Sequence, residues 1–286
     1  MLVGFLGDIH GRIFLALAAA AMWQQHSGQT FDLLLQVGDM GAYPDLNRVD
    51  PATDTYLALD PTEADFSRLV HADGERAAAL RRLRTQFATP LYFIRGNHED
   101  FAWLSQLRID PATGTAPVDA FDLVHYVPDG SVRRFDGLWV AFLGGEETTE
   151  GDPGAIDQRA YTTLMDHRPG TVDVLITHDA PYGLSIGYHG QVQGSQMITS
   201  LVEHLQPTFH ITGHYQLNGP RANGHTTFLC LNHLVASVCW QPEARGVQPG
   251  SLAILDTAAG QLWPVADPWL RHFDSPFDFD AWIARH

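Results

Sequence analysis

The polar residues that follow the apolar runs are the strongest constraint that this sequence places on its fold. Short apolar runs, each about the length of a buried strand, lead directly into tight groups of glycine, aspartate, histidine and asparagine. The groups are Gly7-Asp8-Ile9-His10-Gly11, Gly38-Asp39, Gly96-Asn97-His98-Glu99, Thr177-His178-Asp179 and Gly213-His214. Ligands bind at strand ends in layered sheets, and glycine lets the backbone approach a ligand closely. The pattern therefore predicts a single binding site where several strand ends meet.

The apolar runs themselves alternate with helix-like stretches along most of the chain. Consecutive apolar residues predict buried strands at 2–6, 31–37, 91–94, 172–176 and 209–212, with closing strands at 226–231 and 251–255. Helices are predicted at 13–25, 74–86, 99–107 and 195–205. Asp136-Gly137 predicts a tight hairpin turn between strands at 131–135 and 138–143. This alternation is typical of a layered α/β or α+β domain.

Two segments depart from the alternation. Residues 42–73 are rich in Asp, Pro and Thr, so we predict an insertion or long loop there. We expect the tail at 266–286 to dock on the body, because exposed aromatic side chains at its density would be costly. These side chains are Trp269, Phe273, Phe277, Phe279 and Trp282. The prediction is one domain over residues 1–265 followed by a docked tail, which suits a chain of 286 residues.

The charge balance limits the partners of such a domain. The chain has 17 Lys+Arg against 33 Asp+Glu, a formal net charge of −16. Proteins that track duplex DNA draw most of their affinity from basic residues, so long duplex DNA is disfavoured here, whereas a small local basic pocket is not. Disorder is excluded because 45% of the residues are hydrophobic and the chain carries 7 Trp, 8 Tyr and 15 Phe.

The remaining composition indicates the compartment. Cys230 and Cys239 are too few for a disulfide framework or a thiolate zinc site, and we expect ordinary buried thiols. No apolar run reaches the roughly 18–20 residues that cross a bilayer. The apolar run at 1–6 is too short for a secretory leader. We therefore expect a cytoplasmic protein without a membrane partner.

The donor atoms of the five polar groups indicate metal ions. Taken singly, each group has an ordinary explanation: Gly-Asp after a strand is most often a turn, and Asn97 could cap a helix. Together they supply carboxylate, imidazole and amide donors without a thiolate, a set suited to Mn²⁺, Fe²⁺, Zn²⁺ or Mg²⁺. The donors exceed what one ion requires, so the sequence predicts a site for two divalent ions.

In their order along residues 7–216, these groups resemble the motifs of the calcineurin-like metallophosphoesterases. The resemblance implies a four-layer α/β/β/α sandwich with metals at the strand ends. Within this superfamily, the short segments 93–99 and 194–214 are most similar to the lariat debranching enzymes and their bacterial relatives.

Carried over position by position, the resemblance implies a role for each motif residue. Asp8 and His10 would bind the first metal, and Asp39 would bridge both ions. Asn97, His178 and His214 would hold the second metal. The ions would be Mn²⁺ by preference, with Fe²⁺, Zn²⁺ or Mg²⁺ as alternatives. A metal-bridging hydroxide would attack phosphorus, and His98 would protonate the leaving alkoxide.

The chain departs from the family pattern at two positions. The last motif normally ends in a second histidine that completes the first metal site, and here Gln216 stands in its place. Glutamine is a neutral and weak donor, so we expect looser occupancy of the first site and a preference for Mn²⁺ or Mg²⁺. In the phosphoprotein phosphatases an acid follows the bridging aspartate by three residues, and here that residue is Ala42. Either His98 acts unassisted, or an acid such as Asp45, Asp100 or Asp179 orients it.

Substrate contacts are predicted from the arginines beside the motifs. Arg12 and Arg95 are placed to bind phosphate, with ordinary salt bridges as the equal alternative. His225 and His233 are expected to be structural. The acid excess favours small substrates, namely a phosphorylated small molecule, a nucleotide or a short nucleic acid.

The sequence therefore predicts a hydrolase, a binuclear metal-dependent phosphoesterase that acts on phosphodiester or phosphomonoester bonds. Two alternatives remain. Arg95-Gly96-Asn97-His98-Glu99 also suits a phosphoprotein phosphatase, although Ala42 and the missing arginine that normally follows the acid there disfavour it. Gln216 motivates the other alternative, a scaffold that binds metal without turnover.

Overall fold

Two mixed β-sheets lie at the centre of the computed structural model, with helices on their outer sides. The structure describes residues 1–149, 151–186, 191–215, 218–236, 246–273 and 276–285. The strands in chain order are β1 (Leu2–Leu6), β2 (Leu33–Gln36), β3 (Leu91–Phe93), β4 (Ala116–Pro117), β5 (Val124–Tyr126), β6 (Val132–Phe135), β7 (Leu138–Leu143), β8 (Val174–Thr177), β9 (Ser185–Ile186), β10 (Val192–Gln193), β11 (Phe209–Thr212), β12 (Asn218–Asn223), β13 (Thr226–Cys230), β14 (Leu252–Asp256) and β15 (Gln261–Pro264).

The α-helices of the described residues, in chain order, are α1 (Ile13–Ser27), α2 (Pro51–Leu57), α3 (Asp65–Val70), α4 (Gly74–Arg84), α5 (Phe101–Leu104), α6 (Gln158–Met165), α7 (Gln196–Leu205) and α8 (Phe279–Ile283). Three short 3₁₀ helices span Leu46–Arg48, Pro61–Ala64 and Pro268–His272.

Each sheet has four parallel strands in its middle. The first sheet has the order β15-β14-β1-β2-β3-β5-β4, in which β1, β2, β3 and β5 are parallel. The second sheet has the order β12-β13-β11-β8-β7-β6, in which β13, β11, β8 and β7 are parallel. Parallel strands are buried on both faces, which explains why their sequences are continuous apolar runs instead of alternating ones. Because these strands are parallel, their carboxyl ends lie side by side along one edge of each sheet.

The two sheets pack face to face through a core of their own. On β1, Val3 and Phe5 point into this core, whereas Leu6 lies against the helices. The same alternation places Leu35 of β2 in the core and Leu34 outside it. From the second sheet, Phe142 and Ile176 complete the packing. Helices α1, α3, α4 and α8 cover the first sheet, and α6 and α7 cover the second. The predicted four-layer α/β/β/α architecture is confirmed.

The insertion at 42–73 differs from the predicted long loop. It contains α2, α3 and two of the 3₁₀ helices. Asp50 begins α2, because its carboxylate accepts hydrogen bonds from the backbone N–H groups of Ala52 and Thr53, and Pro51 follows it. Asp50-Pro51 is a sequence signal for the start of a helix. The segment has too few apolar residues to form the periodic pattern from which a helix is predicted. Strands β4, β5, β9, β10, β12 and β15 and helices α6 and α8 were also not predicted, and α5 is shorter than the helix predicted at 99–107.

The hairpin between β6 and β7 was predicted correctly. Phe135 pairs with Leu138 across a two-residue turn in which Asp136 has φ 43° and Gly137 has φ 95°. Positive φ at both turn residues is the geometry that suits the right-handed twist of the strands, and Asp-Gly favours it.

The described part of the chain contains no helix that is long and apolar enough to cross a membrane. Cys230 is buried, as expected, and Cys239 lies outside the described residues.

The aromatic tail packs against α1 and its neighbours. Phe279 stacks on Phe14 with ring centroids 4.4 Å apart, and Trp269, Phe273 and Trp282 are buried with it. We expect Phe279→Ala to lower the free energy of unfolding by about 3–5 kcal/mol, measured by urea denaturation. Phe277→Ala, at a half-buried position of the same tail, is the control and should cost less. Equal effects of the two substitutions would contradict this packing.

Candidate metal centre

The candidate metal centre lies where the carboxyl ends of strands from both sheets meet. From the first sheet, β1 leads to Asp8 and His10, β2 to Asp39, and β3 to Asn97 and His98. From the second sheet, β7 leads to Glu146, β8 to His178, β11 to His214, and β13 to His233. Both sheets therefore supply side chains to a single cleft, as the strand-end pattern predicts.

The glycines of the motifs permit this close packing. A side chain at Gly96 would collide with the carboxylate of Asp39, and one at Gly213 would collide with Asp8 Oδ1. Beside them, His10, Asp39 and His214 have φ values of 44°, 51° and 64°. Left-handed φ is uncommon outside glycine and costs roughly 1–3 kcal/mol per residue. The fold holds this strain at three of the predicted metal ligands.

One group of ligand atoms comprises Asp8, His10 and His233. One atom from each of these side chains lies within 4.8 Å of the others. His233 Nε2 is 3.4 Å from Asp8 Oδ2, and the rings of His10 and His233 are 5.3 Å apart. Asp8 Oδ1 is buried without a hydrogen-bond partner. An unpartnered buried carboxylate oxygen is costly and fits a cation that would bind it.

A second group comprises Asp39, His178 and His214, again within 4.8 Å of one another. Asn97 belongs beside it, because its Oδ1 is 2.9 Å from His178 Nε2. Asp39 lies between the two groups: its Oδ2 is 3.8 Å from His10 Nε2, and its Oδ1 is 3.5 Å from His178 Nε2. The donor set is therefore arranged in two halves that share one carboxylate.

The protonation states suit cation binding. Burial lowers the pKa of His10 to about 3 and the pKa of both His178 and His233 to about 4, so these imidazoles are neutral at pH 7 and ready to bind a metal. Burial opposes the charge of Asp39, but His178 and His10 outweigh it and hold the pKa of Asp39 below its usual range. Burial, with the charge of Asp39, raises the pKa of Asp8, and a bound cation would favour its ionised form.

The acid that contacts His98 is not Asp45, Asp100 or Asp179, the three residues that the sequence suggested for this role. The Nδ1 of His98 lies 3.0 Å from Oδ2 of Asp50, which the insertion brings across the cleft. Asp50 also accepts hydrogen bonds from the hydroxyls of Tyr43 and Thr53, so its carboxylate is fixed in place. Burial lowers the pKa of His98, but the hydrogen bond to Asp50 and the charge of Asp39 outweigh burial and raise it to about 9.

Two glutamates complete the surroundings of the ligands. Glu99 accepts hydrogen bonds from the backbone N–H groups of Met40, Ala42 and Gly96, and it thereby fixes the loop of Asp39 to the loop of Asn97. Glu146 Oε2 lies 3.1 Å from His214 Nε2. Burial lowers the pKa of His214, but the Glu146 hydrogen bond and the charge of Asp39 raise it to about 9. Metal binding at His214 would therefore release a proton.

The two arginines predicted to bind phosphate are both buried and paired. Arg12 donates to Asp60 at 2.9 Å and to Glu63 at 2.8 Å, and both acids come from the insertion. Arg95 pairs with Asp129 and donates to the carbonyls of Pro153 and Ala155. Both arginines therefore form the ordinary salt bridges that were the alternative to phosphate binding. A direct role in phosphate binding stays a prediction for both arginines.

Gln216, predicted to replace a ligand histidine, lies outside the described residues. His233, expected to be structural, lies instead in the candidate metal centre. The signal for it was present, because Asn232-His233 directly follows a predicted strand as the motif residues do. Asn232-His233 lacks the flanking glycine that marks four of the five motif groups.

A cavity of about 1180 Å³ opens beside the second ligand group. Glu146 lines it, and Gly154, next to the lining residues Pro153 and Ala155, packs against Asn97. Apolar side chains of α5 and the following residues line one part, and an excess of acidic side chains over Arg95 and Arg159 lines another. Its size exceeds the roughly 300–1,000 Å³ of ordinary small-molecule sites, so it has room for a group larger than a phosphate.

The layered fold and the two-part ligand group are those expected of a metal-dependent hydrolase of phosphate esters. A family model for calcineurin-like phosphoesterases matches residues 1–216. The chain belongs to the calcineurin-like phosphoesterase family, and the enzyme class predicted from the motifs is confirmed.

Individual proteins are similar to this chain in sequence or in fold. The UPF0046 protein K07C11.7 of Caenorhabditis elegans is 37% identical over 195 residues, which cover 62% of this chain and 66%, just under two thirds, of that protein. One solved crystal structure shares the fold with a TM-score of 0.56 at 14% identity, covering 92% of this chain and 97% of the other. The crystal structure of TT1561 of Thermus thermophilus has the same identity and coverage and a TM-score of 0.48.

Proposed function

We propose that this phosphoesterase is binuclear and hydrolyses phosphodiester or phosphomonoester bonds in nucleotides or short nucleic acids. The observation that carries the proposal is the position of Asp39, whose two carboxylate oxygens face different ligand groups. Two divalent ions bound there would supply an activated water as the nucleophile and would offset the charge of the phosphate. Mixed oxygen and imidazole donors suit Mn²⁺, which is the ion of first choice in the experiments below.

The role of His98 is to deliver a proton to the leaving oxygen. Its ring centroid is 5.6 Å from that of His10, so it lies at the edge of the first ligand group. Asp50 accepts from Nδ1, which leaves Nε2 as the nitrogen that faces the substrate. Asp50 is thus the positioning residue, and it substitutes for the acid that is missing at Ala42.

The substrate class follows from the shape and charge of the surroundings. The acids of the cavity, among them Glu146 and Glu147, repel a long polyanion, whereas its apolar part favours a base or another uncharged part of the substrate. One phosphate at the metals and one such group in the cavity describe a nucleotide or the end of a short strand. A cytoplasmic location, predicted from the sequence, belongs to the same proposal.

The direct test is hydrolysis by the purified chain with added Mn²⁺. We expect cleavage of bis-p-nitrophenyl phosphate. In a side-by-side comparison, we also expect a higher kcat/KM for cyclic nucleotides, dinucleotides or short RNA than for phosphopeptides. Phosphopeptides belong in the comparison because Asp50 supplies an acid for His98 that Ala42 does not, which answers one of the two arguments against a phosphoprotein phosphatase. A clear preference for phosphopeptides would replace the nucleotide proposal with a phosphoprotein phosphatase.

The positioning role of Asp50 predicts a separate result. Asp50→Asn should lower kcat by roughly 10-fold to 100-fold while metal content stays unchanged, because His98 loses the charge that holds it. Asn still caps α2, so the insertion should keep its fold. Asp45→Asn is the matched control: Asp45 caps the 3₁₀ helix at Leu46–Arg48 in the same insertion and accepts hydrogen bonds from Asn47. Equal rates for both variants would remove Asp50 from the mechanism.

A further inference from the structure

We infer that His233 completes the protein ligands of the first metal ion, the role that the family pattern gives to the position of Gln216. The inference rests on the proposed binuclear function and concerns which residue completes one half of the centre. It starts from the group of Asp8, His10 and His233, in which one ligand atom of each side chain lies within 4.8 Å of the others.

The position of His233 is fixed by its backbone. The N–H of Leu234 donates to the carbonyl of Asp8 at 2.7 Å, so the residue after His233 is bonded to a residue of the metal motif itself. The hydroxyl of Ser251 donates to the carbonyl of His233 at 2.6 Å. The carbonyl oxygen of Asn232 lies so close to Gly7 that a side chain at position 7 would collide with that oxygen. Residues 232–234 are therefore held against the first motif on both sides of His233.

The side chain is oriented for metal binding. Its Nε2 lies 3.4 Å from Asp8 Oδ2, and Asp8 Oδ1 beside it is the buried carboxylate oxygen without a hydrogen-bond partner. His233 is partly exposed at the cleft, with 22% of its side chain accessible. A cation in this group would therefore be reached from solvent and would meet two imidazoles and a carboxylate.

This assignment changes the metal preference expected for the first site. A glutamine carbonyl would have made the site oxygen-rich, weak and tolerant of Mg²⁺. Two imidazoles with Asp8 and the shared Asp39 make it a nitrogen and oxygen site, which favours Mn²⁺, Fe²⁺ or Zn²⁺ over Mg²⁺. The residue that completes the site lies beyond residue 216, where the family match ends.

Metal content tests the assignment without reference to activity. After loading with Mn²⁺ and desalting, we expect about two ions per wild-type chain, about one for His233→Ala, and about two for Gln216→Ala. His225→Ala, an exposed histidine in the turn between β12 and β13, is the matched control and should retain both ions. The circular dichroism of His233→Ala without metal should equal that of the wild type.

A thiol at position 233 gives a direct signature. With Co²⁺ bound, His233→Cys should show the near-ultraviolet thiolate-to-cobalt charge-transfer absorption that the wild type and His225→Cys lack, and it should regain the ion that His233→Ala loses. Two ions in His233→Ala together with loss of one in Gln216→Ala would overturn the inference. Fewer than two ions in the wild type would instead contradict the binuclear proposal itself.

Discussion

Asp39→Asn is expected to abolish phosphoesterase activity, with kcat/KM lower by at least roughly 1000-fold. Asp39 lies between the two ligand groups: its Oδ2 is 3.8 Å from His10 Nε2, and its Oδ1 is 3.5 Å from His178 Nε2. An amide cannot offset the charge of two cations, and metal catalysis supplies several kcal/mol, each 1.36 kcal/mol being tenfold in rate. The measurement is kcat/KM for bis-p-nitrophenyl phosphate, with metal content determined on the same samples.

The substitution is conservative enough to separate metal binding from folding. Asn retains an oxygen that can accept the backbone N–H bonds which Asn97 and His98 donate to Asp39. The thermal unfolding of the metal-free variant should therefore be close to that of the metal-free wild type. Full activity in Asp39→Asn, with unchanged metal content, would show that the ions are held elsewhere.

His98→Ala is expected to lower kcat by roughly 100-fold to 10,000-fold for substrates with alkoxide leaving groups. The alkoxide needs a proton as it departs, and His98, fixed by Asp50, is positioned to give it. The nitrophenolate leaving group is a stable anion and needs little help, so the loss with bis-p-nitrophenyl phosphate should be much smaller. The measurement is kcat for a nucleotide substrate and for the nitrophenyl ester, with wild type and variant both at two ions per chain.

The contrast between leaving groups is the decisive readout for His98. A purely structural role would reduce both rates by the same factor, as would a role in holding metal. Equal losses for the two substrates would therefore remove the assignment of His98 as the acid. His71→Ala is a suitable control, because His71 is a histidine of the insertion that contacts the carbonyl of Pro44 and no ligand.

Most of the fold could be predicted from the sequence, because buried strands and tight turns are marked by short patterns of neighbouring residues. Buried parallel strands such as β1 and β8 are continuous apolar runs, and Asp136-Gly137 fixes a hairpin. Helices such as α2 and α3 escaped prediction because they are short and lie in a polar segment. Their stability comes from caps such as Asp50 and from packing of Phe66, and neither gives a periodic pattern.

The candidate site, like the fold, could be predicted only in part from the sequence. The residues brought together by strand ends follow from the sequence, because parallel strands align their carboxyl ends. The contacts that cross from the insertion do not follow, since Asp50 to His98 and Glu63 to Arg12 join residues 48 and 51 positions apart. His233 is intermediate: its strand-end position was visible, but its proximity to Asp8 depends on the neighbouring order of β1 and β14 and on the bonds around residues 232–234.

The dependence of the hydrolysis rate on bound Mn²⁺ tests the binuclear centre most directly. Metal-free protein is titrated with Mn²⁺ while bound metal and the rate of bis-p-nitrophenyl phosphate cleavage are measured on each sample. The account predicts that activity rises with the second ion and reaches its maximum at about two ions per chain. Full activity at one ion per chain, or activity that persists in the metal-free protein, would contradict it.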